Sequence, residues 1–391
     1  MHVHFDLWPC VVSFFGGVLI AIVTSVFVVF TGTVTGISGV VRGLIRPWGK
    51  ELLPWKGSFL VGLCVSGALY YALPSDLRYV AFGPDEFPLR WWVCVVSGLL
   101  VGFGSSMANG CTSGHGLCGV ARLSPRSLVF TMIFFAVGIL TASLTRASFS
   151  YDDFYTARGT AGFSLGTLYV LPLVGVAVLQ LLVCWSRGEG WWRSGMSVGD
   201  AMRNWKLQVV SLLGGFFFGV ALILTGMSNA LKILDFLDFT GEPDGWDPQL
   251  LFCCVGAMGT NVLTFYFLHI YEHPPLLASD TKPVAKYINY GMCPANKNID
   301  AKLLAGGLLF GIGWGLSGIC PGPAVVNYIT GRDYFGVLLP CMILGMQIED
   351  AVAAAREYYK TDARVVDKAQ PSESPPPPAV QPQPQAHLSS S

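Results

Sequence analysis

Apolar runs broken by glycine-rich polar turns recur along the chain. Nine such runs stand out, at 11–30, 58–73, 91–107, 127–145, 162–185, 208–227, 249–271, 303–319 and 334–350. Their pattern predicts transmembrane helices, for which about 20 apolar residues cross the hydrocarbon core. Several runs are shorter and lead into polar turns, which predicts broken or re-entrant helices. Irregular backbone at membrane depth is tolerated only inside protein or beside a water-filled cavity. The expected fold is an all-α polytopic membrane protein with re-entrant loops.

Composition agrees with this. Of 391 residues, 52% are hydrophobic and 12% charged, with mean hydropathy +0.54. A soluble domain carries about 25% charged residues, so most of this surface must face lipid or itself. Zero formal net charge excludes a nucleic-acid partner, and 46 glycines fit closely packed helices. Eighteen of the 24 lysines and arginines fall after spans one, three, five and seven or in the C-terminal tail. The others (Arg78, Arg90, Arg146, Arg158, Lys232 and Arg332) fall on the opposite face. The positive-inside rule then places the C-terminus in the cytoplasm and the N-terminus outside. "MHVHFDLWPC" lacks a signal peptide's basic region, so the first span is expected to be retained. The proline-rich tail reads as disordered. Eleven cysteines scattered through apolar spans are no disulfide framework; Cys64, Cys94, Cys184 and Cys341 read as small core hydrophobes.

The chain also repeats itself. "SGLLVGFGSSMANGC" (97–111) aligns without gaps on "GGLLFGIGWGLSGIC" (306–320), matching Gly98 with Gly307, Gly102 with Gly311, Gly104 with Gly313 and Cys111 with Cys320. A third copy, 214–228, puts Ser228 at the cysteine position, and a weaker fourth begins near Gly16. "GISGVVR" (36–42) matches "GLCGVAR" (116–122), with Ser38 in place of Cys118. The expected organisation is a first half at 1–185, a cytoplasmic connector at 186–206, a second half at 207–350 and a tail at 351–391. Span three runs inward and span eight outward, so the halves form an inverted repeat. Transporters built this way bind substrate near the midplane between repeats.

The loops carry the candidate chemistry. In "GICPGP", Pro321, Gly322 and Pro323 break the helix, and a helix restarting there aims free N–H groups and its dipole at the break. "NGCTSGHG" supplies Gly110 and Gly114 for tight turns, with Thr112 and Ser113 as donors, as Gly318 shapes the other loop. No cation lies in either loop core, so an anion would be held by neutral donors, weakly enough to leave. A thiol is a soft, polarizable donor, which suits a sulfur-bearing ligand. Cys111 and Cys320 are the candidate substrate contacts, with Thr112, Ser113, His115 and Cys118 next. Three readings compete: cysteines that only pack, a metal site from Cys111, His115 and Cys118, and redox cycling between Cys111 and Cys320. Cys293 has no repeat partner and stands outside the pathway. No GxxxxGK[ST] motif occurs, so direct ATP drive is not expected, and no cofactor is.

"SGLLVGFG" followed by "NGCTSGHGLCGVARLSPRS" closely resembles the signature of YeeE/YedE-type sulfur-transport membrane proteins. "LTGMSNALKILDFLDF", "WDPQLLF" and "GIGWGLSGICPGPA" resemble a partner half that is a separate subunit in many bacteria, so the chain looks like a fusion of both. The likeness covers about 12–350. It implies an hourglass-like inverted bundle that takes up thiosulfate or a related sulfur anion, passed along cysteines by S–H···S contacts. Cys111 and Cys320 match the pathway thiols. Phe30 or Thr31 stands where a further family thiol would be. The expected partners are the sulfur anion and the bilayer, with a cytoplasmic sulfur-accepting protein as a further candidate.

Overall fold

The computed structural model describes residues 7–31, 36–45, 54–73, 89–148, 205–240, 246–267, 299–329 and 333–369. The span expected at 162–185, most of the 186–206 connector, Cys293 and the proline-rich tail beyond 369 lie outside the described residues. The chain divides into two compact units, Met1–Asp350 and Ala351–Ser391. The described part of the second continues the last helix and exposes Tyr358 and Tyr359.

The order of elements in the first half is α1 (Leu7–Thr31), α2 (Ile37–Ile45), α3 (Pro54–Ala72), α4 (Trp91–Ala108), a π-helical segment (Thr112–Gly119) and α5 (Pro125–Ser148). The second half has α6 (Trp205–Leu224), α7 (Ala230–Leu237), α8 (Gln249–Val262, running into a π-turn at Leu263–Phe267), α9 (Ala301–Ser317), α10 (Pro321–Tyr328) and α11 (Asp333–Ala369). A long helix, a short one and another long one thus recur four times. Among the described residues five helices are long and apolar enough to cross a membrane, and six if α9 and α10, bent by 43°, make one span. The protein is an all-α membrane protein. Its outward surface is apolar, as lipid requires: Met132, Leu140 and Leu144 of α5 are all more than half exposed.

Glycines decide which helices meet. A methyl at Gly102 of α4 would lie 1.9 Å from the Met342 carbonyl oxygen of α11, and one at Gly311 of α9 2.9 Å from that of Phe134 on α5. A methyl at Gly104 would lie 2.5 Å from the Phe310 amide of α9, and one at Gly313 2.8 Å from the Ser97 carbonyl of α4. Glycines matched in the sequence therefore meet corresponding neighbours. Numbers rising on α4 meet numbers falling on α9, so these two helices are antiparallel. So are α1 and α6, where Gly16 meets Thr225 and Gly214 meets Phe27. Four other pairs run parallel: α3 with α6 (Gly215 on Phe59), α8 with α1 (Gly256 on Phe14), α5 with α9 and α11 with α4.

Helix ends follow the same register. Asn109, Gly226 and Gly318 occupy one column of the three ungapped copies, and each has positive φ, at 60°, 74° and 68°. That is the left-handed C-cap that reverses a chain after a helix. At Gly318 a side chain is excluded twice, since a methyl would also lie 2.4 Å from the Ala230 carbonyl oxygen.

Three arginines of the first unit are paired with carboxylates. Arg42 reaches Asp350 through Nε at 2.9 Å and Nη2 at 2.5 Å, and Glu349 at 3.4 Å. Ser106 adds its hydroxyl to both carboxylates at 3.2 Å. A second cluster joins Arg146 of α5 to Asp235 at 2.6 Å and to the fully buried Asp238 at 3.4 Å. Each cluster ties a short helix of one half to a long helix of the other. Arg126 pairs with Asp300 at 3.1 Å. Desolvation works to raise the Asp300 carboxyl, but the Arg126 charge and the Leu303 N–H hold it below its ordinary range. Removing one partner of a buried ion pair costs about 3–5 kcal/mol. Arg42→Gln is therefore expected to lower the melting temperature in detergent by several degrees, and an unchanged value would remove this cluster from the stabilising set.

Candidate functional site

Cys111 and Cys320 occupy the same kind of position. Cys111 is the N-cap of the π-helical segment (φ −138°, ψ −173°), and Cys320 is the N-cap of α10 (φ −102°, ψ 170°). Neither thiol caps its helix. Where an Asx residue holds this position it does cap: Asn229 accepts from Leu231 N at 3.0 Å and Asp300 from Leu303 N at 3.2 Å. Asx residues favour such positions because their oxygens satisfy first-turn N–H groups. Cysteine in their place leaves those donors uncapped and frees the sulfur for the space in front. α10 begins at Pro321, with proline at the first helical position, where a missing N–H costs nothing.

Both thiols line one cavity of about 90 Å³, far more than the ~10–15 Å³ a single water needs. The two short segments both contribute to its wall, Cys111, Thr112 and Ser113 from one and Cys320, Gly322 and Pro323 from the other. Cys111 Sγ lies 3.3 Å from Ser113 Oγ. Both cysteines are free thiols. Gly322 also lines the cavity, and a methyl there would lie 2.7 Å from Ile37 Cδ1 of α2, so short helices from three repeats converge here. The walls are mostly apolar, with Phe134, Phe218 and Leu222 among them and no charged side chain among the described residues. This is the usual make-up of a ligand site: apolar walls with a few placed polar groups.

Of the candidate residues, Cys111, Thr112, Ser113, Cys320, Gly322 and Pro323 line this space. His115 turns away: its Nδ1 pairs with Ser127 Oγ at 2.9 Å and its ring packs on Phe130 at 4.7 Å. A methyl on Gly110 would strike that ring at 2.3 Å, which is why glycine stands there. Cys118 is buried and does not line the cavity. Cys111, His115 and Cys118 therefore do not converge on a point where one ion could sit. A methyl on Gly114 would lie 3.7 Å from the Gly36 Cα, and Gly318 and Pro321 shape the helix break.

Several lining residues escaped the sequence reading. Leu250, Cys254 and Met258 recur every four residues on one face of α8, so a third thiol and a thioether enter the cavity, joined by Met227. Adjacent Cys253 instead packs against α1, its carbonyl 2.2 Å from where a Gly17 methyl would be. The four-residue period was the available signal, but a buried helix carries apolar residues on every face. Trp314 and Thr131 line the cavity too, and neither the Trp314 indole nitrogen nor the Thr131 hydroxyl has a hydrogen-bond partner. A buried donor left unpaired costs about 1–3 kcal/mol.

A bundle of transmembrane helices whose broken segments enclose an uncharged, thiol-lined cavity is the architecture of a membrane transporter. Residues 7–141 match the family model for sulphur transport, and residues 206–360 match a family of unknown function (DUF6691). Two relatives from Xylella fastidiosa (strain 9a5c) are each named a probable transporter. One is 40% identical over 129 residues, covering 33% of this chain and 89% of the relative. The other is 31% identical over 146 residues, covering 37% of this chain and 89% of the relative. The chain belongs to the sulphur-transport family of YeeE/YedE type. It is a multi-pass membrane transporter of sulfur species rather than an enzyme.

Proposed function

We propose that the protein carries thiosulfate or a closely related sulfur anion through the cavity between two inverted halves, with Cys111 and Cys320 as contact thiols. One observation carries this: thiols from two separate repeats, Cys111 and Cys320, line a single cavity. An anion entering apolar walls must replace its lost water with protein donors. Thiols, hydroxyls and uncapped first-turn N–H groups do so without a fixed cation that would trap it. Thr112, Ser113 and Cys254 are the accompanying contacts, while His115 and Cys118 hold the segment's shape.

The inverted-repeat reading draws support from the helix pairings. Exchanging the halves turns the parallel pair α3–α6 into α8–α1 and the pair α5–α9 into α11–α4. The antiparallel pairs α1–α6 and α4–α9 each map onto themselves. The proposed orientation rests on the charge count and draws support from the ion pairs. Arg42 with Glu349 and Asp350, Arg126 with Asp300, and Arg146 with Asp235 each join connections that the charge count puts on one side. The proposed halves are 1–185 and 207–350, with the N-terminus outside, the C-terminus cytoplasmic and a sulfur-accepting protein as the candidate cytoplasmic partner.

The test is uptake of labelled thiosulfate into proteoliposomes holding the purified protein, with sulfate and chloride as comparison ions. Saturable entry of intact thiosulfate is expected. Consumption of thiosulfate without entry would replace transport by thiol redox or persulfide chemistry, and equal entry of chloride would make the cavity an unselective anion path.

A further inference from the structure

The cavity's sulfur lining accounts for one end of a sulfur oxyanion, and beside it only Thr112 and Ser113 and the first-turn N–H groups have so far been assigned to the oxygens. Thiols are weak donors, and oxyanion oxygens are strong acceptors that lose water on entering. Two stronger donors stand at the same cavity with nothing to bind. Trp314 of α9 is 3% exposed, lines the cavity, and has an indole N–H without a partner. Thr131 of α5 lines it as well, with its hydroxyl unpartnered.

Neither group behaves as its kind does elsewhere in the chain. A buried tryptophan N–H ordinarily finds an acceptor, and Trp246 donates to the Phe236 carbonyl at 2.8 Å. Helical threonines commonly bond back to the carbonyl four residues earlier, and Thr24 and Thr264 do so at 2.9 Å. Thr131 does not. Other unpartnered buried atoms, such as those of Ser211 and Gln347, lie away from the cavity. The indole is also held in place. Phe134 and Phe135 meet it edge-on at 5.5 and 5.4 Å, and Gly138 leaves room beneath it, since even a methyl there would lie 3.2 Å from the ring. Gly313 and Gly315 on either side bring α4 and α5 against α9, so the ring is fixed at the junction of three helices.

We infer that the Trp314 indole N–H and the Thr131 hydroxyl form the oxygen-binding subsite of the passage and set its preference for sulfur anions that carry oxygen. This rests on the cavity being the substrate passage. A substrate with oxygens satisfies both donors, whereas hydrosulfide, lacking oxygen, engages only the sulfur lining.

Trp314→Phe keeps the ring and removes the N–H, Thr131→Val removes the hydroxyl at nearly constant volume, and Thr131→Ser restores it. The concentration dependence of thiosulfate and of hydrosulfide uptake is measured in proteoliposomes for each. Trp314→Phe and Thr131→Val are each expected to raise the apparent KM for thiosulfate about tenfold, with hydrosulfide flux unchanged and Thr131→Ser near wild type. Wild-type thiosulfate KM in both variants overturns the assignment, and so does an equal loss of hydrosulfide flux, which would mark a packing role. If Trp314→Phe does not yield monodisperse protein, the Thr131 pair decides. The failures are separable: full flux in Cys111→Ala and Cys320→Ala rejects the passage, whereas loss there with wild-type behaviour here rejects only this subsite.

Discussion

Thiosulfate uptake is expected to fall about 10- to 100-fold when Cys111 or Cys320 becomes alanine, because a hydrogen bond to a charged partner contributes about 1.5–3 kcal/mol. Serine restores a donor but not a polarizable sulfur, and its shorter bond draws the donor back from the cavity. Cys111→Ser and Cys320→Ser are therefore expected to remain well below wild type. Buried Cys253 serves as the comparison, since it packs against α1 and is absent from the cavity wall. Cys253→Ala is expected to keep uptake once corrected for protein amount. Uptake at the wild-type level in both Cys111→Ser and Cys320→Ser would leave the thiols without a part in transport.

The second large effect concerns stability. Gly102→Val would press a side chain into the Met342 backbone, where even a methyl lies 1.9 Å from the carbonyl oxygen. Backbone cannot swing aside as a flexible side chain does, so α4 and α11 must separate. Overpacking costs about 1–3 kcal/mol in cores that can relax, and a rigid helix pair is expected to lose more, seen as aggregated protein on size exclusion. Gly259 on α8 has nothing within 4 Å of a methyl. Gly259→Ala is expected to be neutral or to stabilise by up to about 1 kcal/mol through helix propensity. Equal melting temperatures for the Gly102 and Gly259 variants would refute close approach as the reason glycine stands at position 102.

Much of this architecture was legible beforehand because its causes are local. Apolar runs mark helices that face lipid wherever they fold. The column of Asn109, Gly226 and Gly318 was visible as repeated sequence, and it marks the place where a helix must end in a left-handed residue. Helix breaks at Cys111 and Cys320 were visible in glycine and proline, which act on their own backbone. The glycine matches Gly98–Gly307, Gly102–Gly311 and Gly104–Gly313 were visible too, although not which helix each would meet.

What the amino-acid sequence determined alone was the helical, membrane-facing character of the described apolar runs, the breaks at Cys111 and Cys320 and the two cysteines that open the short segments, since each depends on a few neighbouring residues. Only the tertiary structure decided which side chains share the cavity. It turned His115 toward Ser127 and Phe130, brought Cys254 in on one face of α8 while leaving Cys253 against α1, and left Trp314 and Thr131 with spare donors. The physical reason is that a helix carries apolar residues all round when both lipid and protein surround it. Periodicity then does not say which face looks inward, and packing against the other half settles it.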